Sequence, residues 1–443
     1  MKKLIPVVLL LAACKGSPPE LADAPFQPDS GNLFVRCGAL IDGISDDVYH
    51  NRMVVIRDGR IEMIVDGDAE IHPSMIFLDL SDKTCLPGLT NTHAHLDGQP
   101  EDYEDFSIYY RRTTAETNDL ARKFATETML TGFTTIWNLG AYFPEAIYLV
   151  DDEIEAGELV GPRILNAGPY LTIPAGGGDM VIPGHDESEI PAGSQLGVAR
   201  GPEEFAEKTQ LAIERGADLI KVIASGAVFA FGGVPGAPEM TEEEIAAVVE
   251  VAHAAGLKVT AHVHSTESGK DALRAGVDTF EHASLLDDET IAMVAEAGIA
   301  LSMDVYNGTY TEEVGREQNY PEEFMRKNFE TTEAQRVVFE KAYAADIPIL
   351  YGTDSGVLPH HMGAWQFGVM VERGMSPMDA IRSATSVPAD HIGNSADVGA
   401  IEIGRYGDLI AVSGNPLDDI NLLREVDVVI KGGLIFKNET GNE

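Results

Sequence analysis

The sequence predicts an α/β protein: a (β/α)8 TIM barrel with a small β-sandwich domain built from both chain ends. Three observations predict it. Short apolar strands alternate with amphipathic helices from about Pro87 to Ala396. Period-two apolar segments separated by Gly and Asp turns stand at both ends of the chain. Histidine, lysine and aspartate side chains sit at or just past strand C-termini, the edge where a barrel collects its active groups.

At the front, Met1-Lys-Lys3 followed by Leu4 to Leu11 reads as an export signal. Leu11-Ala-Ala-Cys14 resembles a bacterial lipoprotein cleavage box, with Cys14 as the lipidated first mature residue. Residues 1–13 are then the signal peptide, and residues 14–32, rich in Pro, Ala and Asp, a flexible tether. The expected placement is the bacterial cell envelope, with contact to the membrane through that anchor alone. No apolar run is long enough to span a bilayer.

Residues 33–86 contain Leu33-Phe-Val-Arg, Met53-Val-Val-Ile, Arg60-Ile-Glu-Met-Ile and Met75-Ile-Phe-Leu. Residues 397–443 add Asp408 to Val412, Val426 to Ile430 and Gly433 to Lys437. Together they form the expected β domain, with residues 87–396 inserted as the barrel. Cys37 and Cys85 fall in the β domain. An oxidising compartment permits a disulfide between them. Two buried free thiols are the preferred expectation, because sequence gives no distance.

Eight strand candidates fill the insert: Gly88–His93, Phe133–Trp137, Arg163–Ala167, Asp218–Ile223, Leu257–His262, Val277–Glu281, Ile299–Met303 and Ile347–Gly352. Helices are expected at Thr114–Thr131, Pro202–Arg215, Thr241–Ala255, Asp287–Ala297 and Thr332–Ala345. An open sheet would not bring ligands from the first, fourth, fifth, sixth and eighth strands together; barrel closure does.

The charge-bearing residues form one constellation. His93 and His95 end strand one, Lys221 ends strand four, and His262 and His264 end strand five. His282 follows strand six and Asp354 follows strand eight. His-x-His on a strand places both imidazoles on one face. Imidazole and carboxylate donors suit zinc and similar divalent ions. Each fragment alone has an ordinary structural explanation; the set in this order does not.

The chain has 72 acidic against 31 basic residues, a net charge of −41. Such a surface repels nucleic acid and anionic lipid, so those partners are disfavoured. The acids are scattered over helices, which suits solubility in a salty habitat.

The chain resembles the amidohydrolase superfamily, in its prolidase and X-Pro/X-Arg carboxypeptidase-like branch, which includes ochratoxin-type amidases. The residues that carry the resemblance are Leu86-Pro-Gly-Leu-Thr-Asn-Thr-His-Ala-His95, Gly132-Phe-Thr-Thr135, Ile220-Lys-Val222, Ala261-His-Val-His264, Glu281-His-Ala283, Gly352-Thr-Asp-Ser-Gly356, and Gly399 to Gly404 with Gly407-Asp-Leu409. The resemblance implies two divalent ions, expected to be zinc, bridged by a carboxylated Lys221. His93, His95 and Asp354 would hold one ion, and His262 and His282 the other. A mononuclear site would leave Lys221 a spectator. A metal-bridged hydroxide would attack an amide carbonyl, with Asp354 moving the proton. His264 is expected to touch substrate or the bridging oxygen.

The implied activity is cleavage of a dipeptide or an N-acyl amino acid. Hydrolysis of an imidazolone, cyclic amide, lactone or organophosphate is an alternative, as is a non-catalytic envelope binding lipoprotein. The partner is a small-molecule substrate; a homo-oligomer is left open. Departures from the branch stand at Trp137-Asn138, where Arg-Asp is common, and at Gly177-Gly178-Asp179, where Gly-His-Gly is common. Gly177 and Gly178 are expected to bring backbone amides to the substrate. Tyr306, beside a lid loop spanning Asn307 to Asn319, and His361 are further pocket candidates.

Overall fold

The computed structural model describes residues 33–71 and 76–440. The expected leader, tether and lipidated Cys14 lie outside the described residues, as does Met75. Four strands open the described chain: β1 (Leu33–Ile41), β2 (Val48–Arg57), β3 (Arg60–Asp66) and β4 (Ile76–Pro87). Eight barrel strands follow: β5 (Leu89–Ala94), β6 (Phe133–Asn138), β7 (Arg163–Asn166), β8 (Ile220–Ile223), β9 (Val259–Ser265), β10 (Thr279–Leu285), β11 (Ala300–Ser302) and β12 (Ile349–Leu350). The chain closes with β13 (Leu409–Ser413), β14 (Val428–Lys431) and β15 (Leu434–Asn438).

Both chain ends share one seven-stranded sheet, ordered β15-β14-β13-β4-β1-β2-β3. β4 is the junction, parallel to β1 and antiparallel to β13. The sheet curls over a core of Val35, Val54, Ile56, Leu80, Leu409 and Ile430. Its β3 edge is closed by Ile61 N–H donating to Arg405 O at 2.8 Å. Cys37 and Cys85 face each other across β1 and β4 and are joined, with Cα atoms 5.8 Å apart. This corrects the expectation of two free thiols. Strand pairing supplies the proximity that spacing alone could not.

The barrel strands pair in parallel as β5-β6-β7 and β8 through β12. Two seams close the ring. Leu171 N–H donates to Lys221 O at 3.0 Å and Ile223 N–H to Leu171 O at 2.9 Å. On the other side Thr92 N–H reaches Tyr351 O at 2.9 Å and His95 N–H reaches Ser355 O at 2.7 Å. Every residue of β5, β6, β8 and β9 is buried, as a sheet covered on both faces requires.

The helices start and stop on local signals. Thr113 with Glu116, and Thr241 with Glu244, form reciprocal capping boxes for Thr114–Leu130 and Glu242–Ala254. Gly216 and Gly276 end helices Gly201–Arg215 and Thr266–Ala275 in the left-handed region. The helix expected from Thr332 instead begins at Glu322 and runs to Ala344. The expected lid loop is largely a helix, Asn307–Gly315. Close packing makes it one: a Cβ on Gly308 would lie 2.1 Å from Thr332 Oγ1, and Asn328 Nδ2 donates to Gly308 O at 3.0 Å.

Candidate metal centre

Barrel closure brings His93, His95, Lys221, His262, His264, His282 and Asp354 to the lining of one cavity at the C-terminal strand edge. Donor atoms of His93, His95 and Asp354 lie within 4.8 Å of one another, and so do those of His262, His264 and His282. His95 Nε2 is 3.1 Å from Asp354 Oδ1, and His93 Nε2 is 3.5 Å from the same oxygen. A third group, His282, Asp304 and Asp354, ties the two sets together. His264 stands as near to the second set as His262 and His282, so geometry does not separate it from them.

Each ring is aimed by a partner on its far nitrogen. His93 Nδ1 is 2.8 Å from Glu281 Oε2. His95 Nδ1–H donates to Gly140 O at 2.9 Å, with Tyr170 Oη also 2.9 Å away. His282 Nδ1 is 3.0 Å from Asp304 Oδ1, and His264 Nδ1 is 2.9 Å from Ser284 Oγ. In these four rings Nδ1 is engaged and Nε2 is left for the cavity. His262 is turned the other way, with Nε2 3.5 Å from Gly226 O. Imidazoles fixed through one nitrogen and open at the other are the usual arrangement around a metal.

Lys221 is 1% exposed, and its Nζ has no hydrogen-bond partner among the described residues. Burial lowers its pKa, against the opposing charges of Glu281, Asp354 and Asp304. A buried amine without a partner is costly as an ammonium and reactive as a neutral base. Burial pushes His93 down to about 4, helped by Lys221 and opposed by Glu281, so its imidazole is neutral near pH 7. Burial also drives His262 and His264 well below the ordinary range. Burial alone would raise Asp354, but His93 and His95 hold it well below the usual carboxylate range. Asp354 is therefore ionised, and Asn307 Nδ2 donates to its Oδ2 at 3.1 Å.

The backbone is strained at two of these positions. His282 has φ +65° and Asp354 has φ +54°, where residues other than glycine are uncommon. A close approach supports the first strand: a Cβ on Gly352 would lie 2.9 Å from His93 Cβ.

Other expected pocket residues fall elsewhere. Gly177 lines the cavity, but its N–H donates to Glu239 Oε2 at 2.7 Å; Gly178 N–H donates to Thr172 Oγ1 at 3.3 Å. Both amides are thus engaged within the protein, which corrects their assignment to substrate. Tyr306 packs with Tyr310 and Leu358, outside the cavity lining. His361 Nδ1 is 2.8 Å from Glu127 Oε1, also outside that lining. Sequence reasoning missed Glu281, Asp304, Tyr170 and Asn307, and also Gln335, which lines the cavity and donates from Nε2 to His282 O at 3.1 Å and to Asp304 Oδ1. Asp304 directly follows the seventh strand segment, the same placement that marked Asp354 after the eighth.

Residues 84–435 match the amidohydrolase family. The chain belongs to that family. Ochratoxinase from Aspergillus niger is 29% identical over 434 residues, covering 91% of this chain and 86% of that protein. The crystal structure of a Xaa-Pro dipeptidase with methionine bound in its active site superposes with a TM-score of 0.85 at 34% identity, covering 92% of this chain and all of the other. The A. niger ochratoxinase crystal structure gives a TM-score of 0.78 at 27% identity, over 93% of this chain and 97% of the other. These place this amidohydrolase in the ochratoxinase- and prolidase-like branch, as a hydrolase acting on amide bonds.

Proposed function

We propose that this amidohydrolase is metal-dependent and cleaves the amide bond of a dipeptide or an N-acyl amino acid, from a lipid anchor in the bacterial envelope. The observation that carries the metal centre is the orphaned, buried Lys221 Nζ beside two converging sets of donors. A free ammonium cannot ligate a cation, whereas a carbamate on that nitrogen supplies two oxygens. His93, His95 and Asp354 would hold one zinc, and His262 and His282 the second with His264 beside them; carboxylated Lys221 would join the two. When bound, such ions lower the pKa of water toward about 7 and polarise a carbonyl oxygen.

The chain's own groups do the rest. Asp354, ionised and oriented by Asn307, accepts a proton from the attacking water and delivers it to the leaving amine. Glu281 and Asp304 keep His93 and His282 in place, so the donors need no rearrangement during turnover. His264, fixed by Ser284, offers Nε2 toward the reacting carbonyl.

The similarity to a Xaa-Pro dipeptidase and to an ochratoxinase supports an amide substrate of this size. The test is a screen of zinc- and bicarbonate-supplied protein against dipeptides and N-acyl amino acids, with Asp354→Asn beside it. Turnover of an amide, lost by about a thousandfold or more in the variant, is expected. Lactones or phosphotriesters turning over while every amide stays inert would overturn the reading.

A further inference from the structure

The cavity has a flank that the metal chemistry does not use. Among the described residues three carboxylates line the cavity, those of Asp97, Asp304 and Asp354, and one lysine, Lys221 of the centre, but no arginine. Asp304 and Asp354 face His282, His93 and His95. Asp97 differs. It is 2% exposed, its Oδ2 accepts Phe143 N–H at 3.2 Å, its carboxylate is also held by the main-chain N–H groups of Asp97 itself and Tyr142, and no lysine or arginine among the described residues forms an ion pair with it. Arg112 comes close but spends its charge elsewhere: Nη2 is 2.5 Å from Asp102 Oδ1, and Nη1 reaches only the main-chain oxygen of Asp97, at 3.5 Å.

The wall beside Asp97 is aromatic. Tyr103, Tyr109 and Tyr142 line the same cavity, with the Tyr109 and Tyr142 rings 5.4 Å apart. Tyr142 adjoins the residue whose N–H Asp97 accepts, and a Cβ on Gly98 would lie 3.4 Å from Tyr109 Oη. The three tyrosine hydroxyls have no hydrogen-bond partner among the described residues, whereas that of Tyr170 is held near His95. A buried carboxylate without a cation is unfavourable, and aromatic faces attract alkylammonium groups. A substrate carboxylate placed here would meet Asp97, and the one nearby guanidinium, that of Arg112, lies behind the lining, 5.1 Å from the Tyr109 ring centre and paired with Asp102, which leaves the faces of Tyr103 and Tyr142 for an ammonium.

We propose that Asp97, with Tyr103, Tyr109 and Tyr142, forms a subsite for a protonated primary amine of the substrate. The preferred substrates are then aminoacyl amides with a free amino group, dipeptides among them, rather than N-acyl amino acids. This specificity rests on the reading of the site as an amide hydrolase, but the subsite itself is testable without turnover.

Calorimetric titration of the metal-loaded full chain at pH 7 with phenethylamine and with 2-phenylethanol compares an ammonium with an uncharged group on the same ring and chain. The amine is expected to bind about tenfold or more tightly than the alcohol. Asp97→Asn should abolish that preference and Tyr142→Leu should weaken amine binding, both at unchanged metal content and melting temperature. Equal binding of the two ligands, no binding of either, or a preference that survives Asp97→Asn overturns the proposal. Should Asp97→Asn fail to fold, the wild-type ligand pair and Tyr142→Leu still decide. In the same preparation, Phe-Pro should exceed N-acetyl-Phe-Pro in kcat/KM. A reversed order also overturns the subsite. If both peptides are inert while the amine binds, the amide reading fails and the ammonium subsite stands.

Discussion

Replacing Lys221 by Met should move stability in opposite directions with and without metal. In the metal-free protein the Lys221 amine is buried with no hydrogen-bond partner. An unsatisfied buried polar group costs about 1–3 kcal/mol. The nearby charges of Glu281, Asp354 and Asp304 offset part of this, but the net direction of the lysine pKa is downward, so burial wins. Met keeps most of the side-chain volume, and such swaps usually cost less than about 1.5 kcal/mol. The expected net change is therefore a gain of ~1 kcal/mol for Lys221→Met in chelator. With zinc and bicarbonate the order reverses. Binding at a hundred times Kd stabilises the wild type by about 2.7 kcal/mol, a contribution the variant forgoes when it cannot form the bridge. Urea and thermal melts in chelator and in zinc with bicarbonate read both halves. With 13C-labelled bicarbonate, a carbamate resonance should appear in the wild type alone. A variant that is less stable in chelator and binds zinc undiminished would refute the reasoning for both the orphaned amine and the bridge.

Burial, aided by Glu155, Asp218 and Asp152, raises the Asp151 carboxyl from 3.8 to about 7. The folded chain then holds an extra proton between those values, so stability falls as pH rises through that window. Asp151→Asn should flatten the fall and gain ~1–2 kcal/mol at pH 8, after allowance for partial exposure; an unchanged slope of urea midpoint against pH would contradict this. Removing the disulfide by Cys37→Ser with Cys85→Ser opens a link across 48 residues of sequence and should cost ~2–4 kcal/mol. Activity at low temperature should persist, since the bond lies in the terminal sheet; a melting temperature insensitive to reductant in the wild type would argue against the bond. At a net charge of −41, raising ionic strength from about 0.01 M to 1 M shortens the screening length from ~30 Å to ~3 Å. The melting temperature should rise by several degrees, and a flat or falling response would show that self-repulsion is not a significant cost.

Much of the architecture was legible because it rests on local rules. Alternating strand and helix patterns locate the eight barrel strands, and Thr241 with Glu244 marks a helix start on sequence grounds alone. The misreadings lie where distant packing decides. The segment after the seventh strand looks like a loop because of Asn307, Gly308 and Asn319. Its helix packs through Gly308 against Thr332 of the helix Glu322–Ala344, which starts ten residues before the Thr332 that the sequence suggests. The Cys37–Cys85 bond depends on β1 lying beside β4. Gly177 and Gly178 look like free amides in the sequence because Glu239, which accepts from Gly177, stands far away along the chain, and Thr172, which accepts from Gly178, on another segment of it.

The centre shows a sharper limit. His93 and His95 were readable together because a regular strand returns every second side chain to one face. By that rule adjacent Glu281 and His282 should point to opposite sides of β10, and only one could serve the site. Both do: Glu281 Oε2 is 2.8 Å from His93 Nδ1, while His282 shares donor groups with His264 and with Asp354. The backbone makes this possible. His282 and Ala283 take φ values of +65° and +53°, and the pairing of β10 with β9 shifts register after His282. The chain thus breaks strand alternation where two neighbouring side chains are needed on one face, at a conformational cost of about 1–3 kcal/mol per strained residue. A glycine at position 283 would relax part of that strain, whereas a β-branched residue there would oppose it. The orienting carboxylate was hidden because the rule that reveals ligands on regular strands is suspended at this turn.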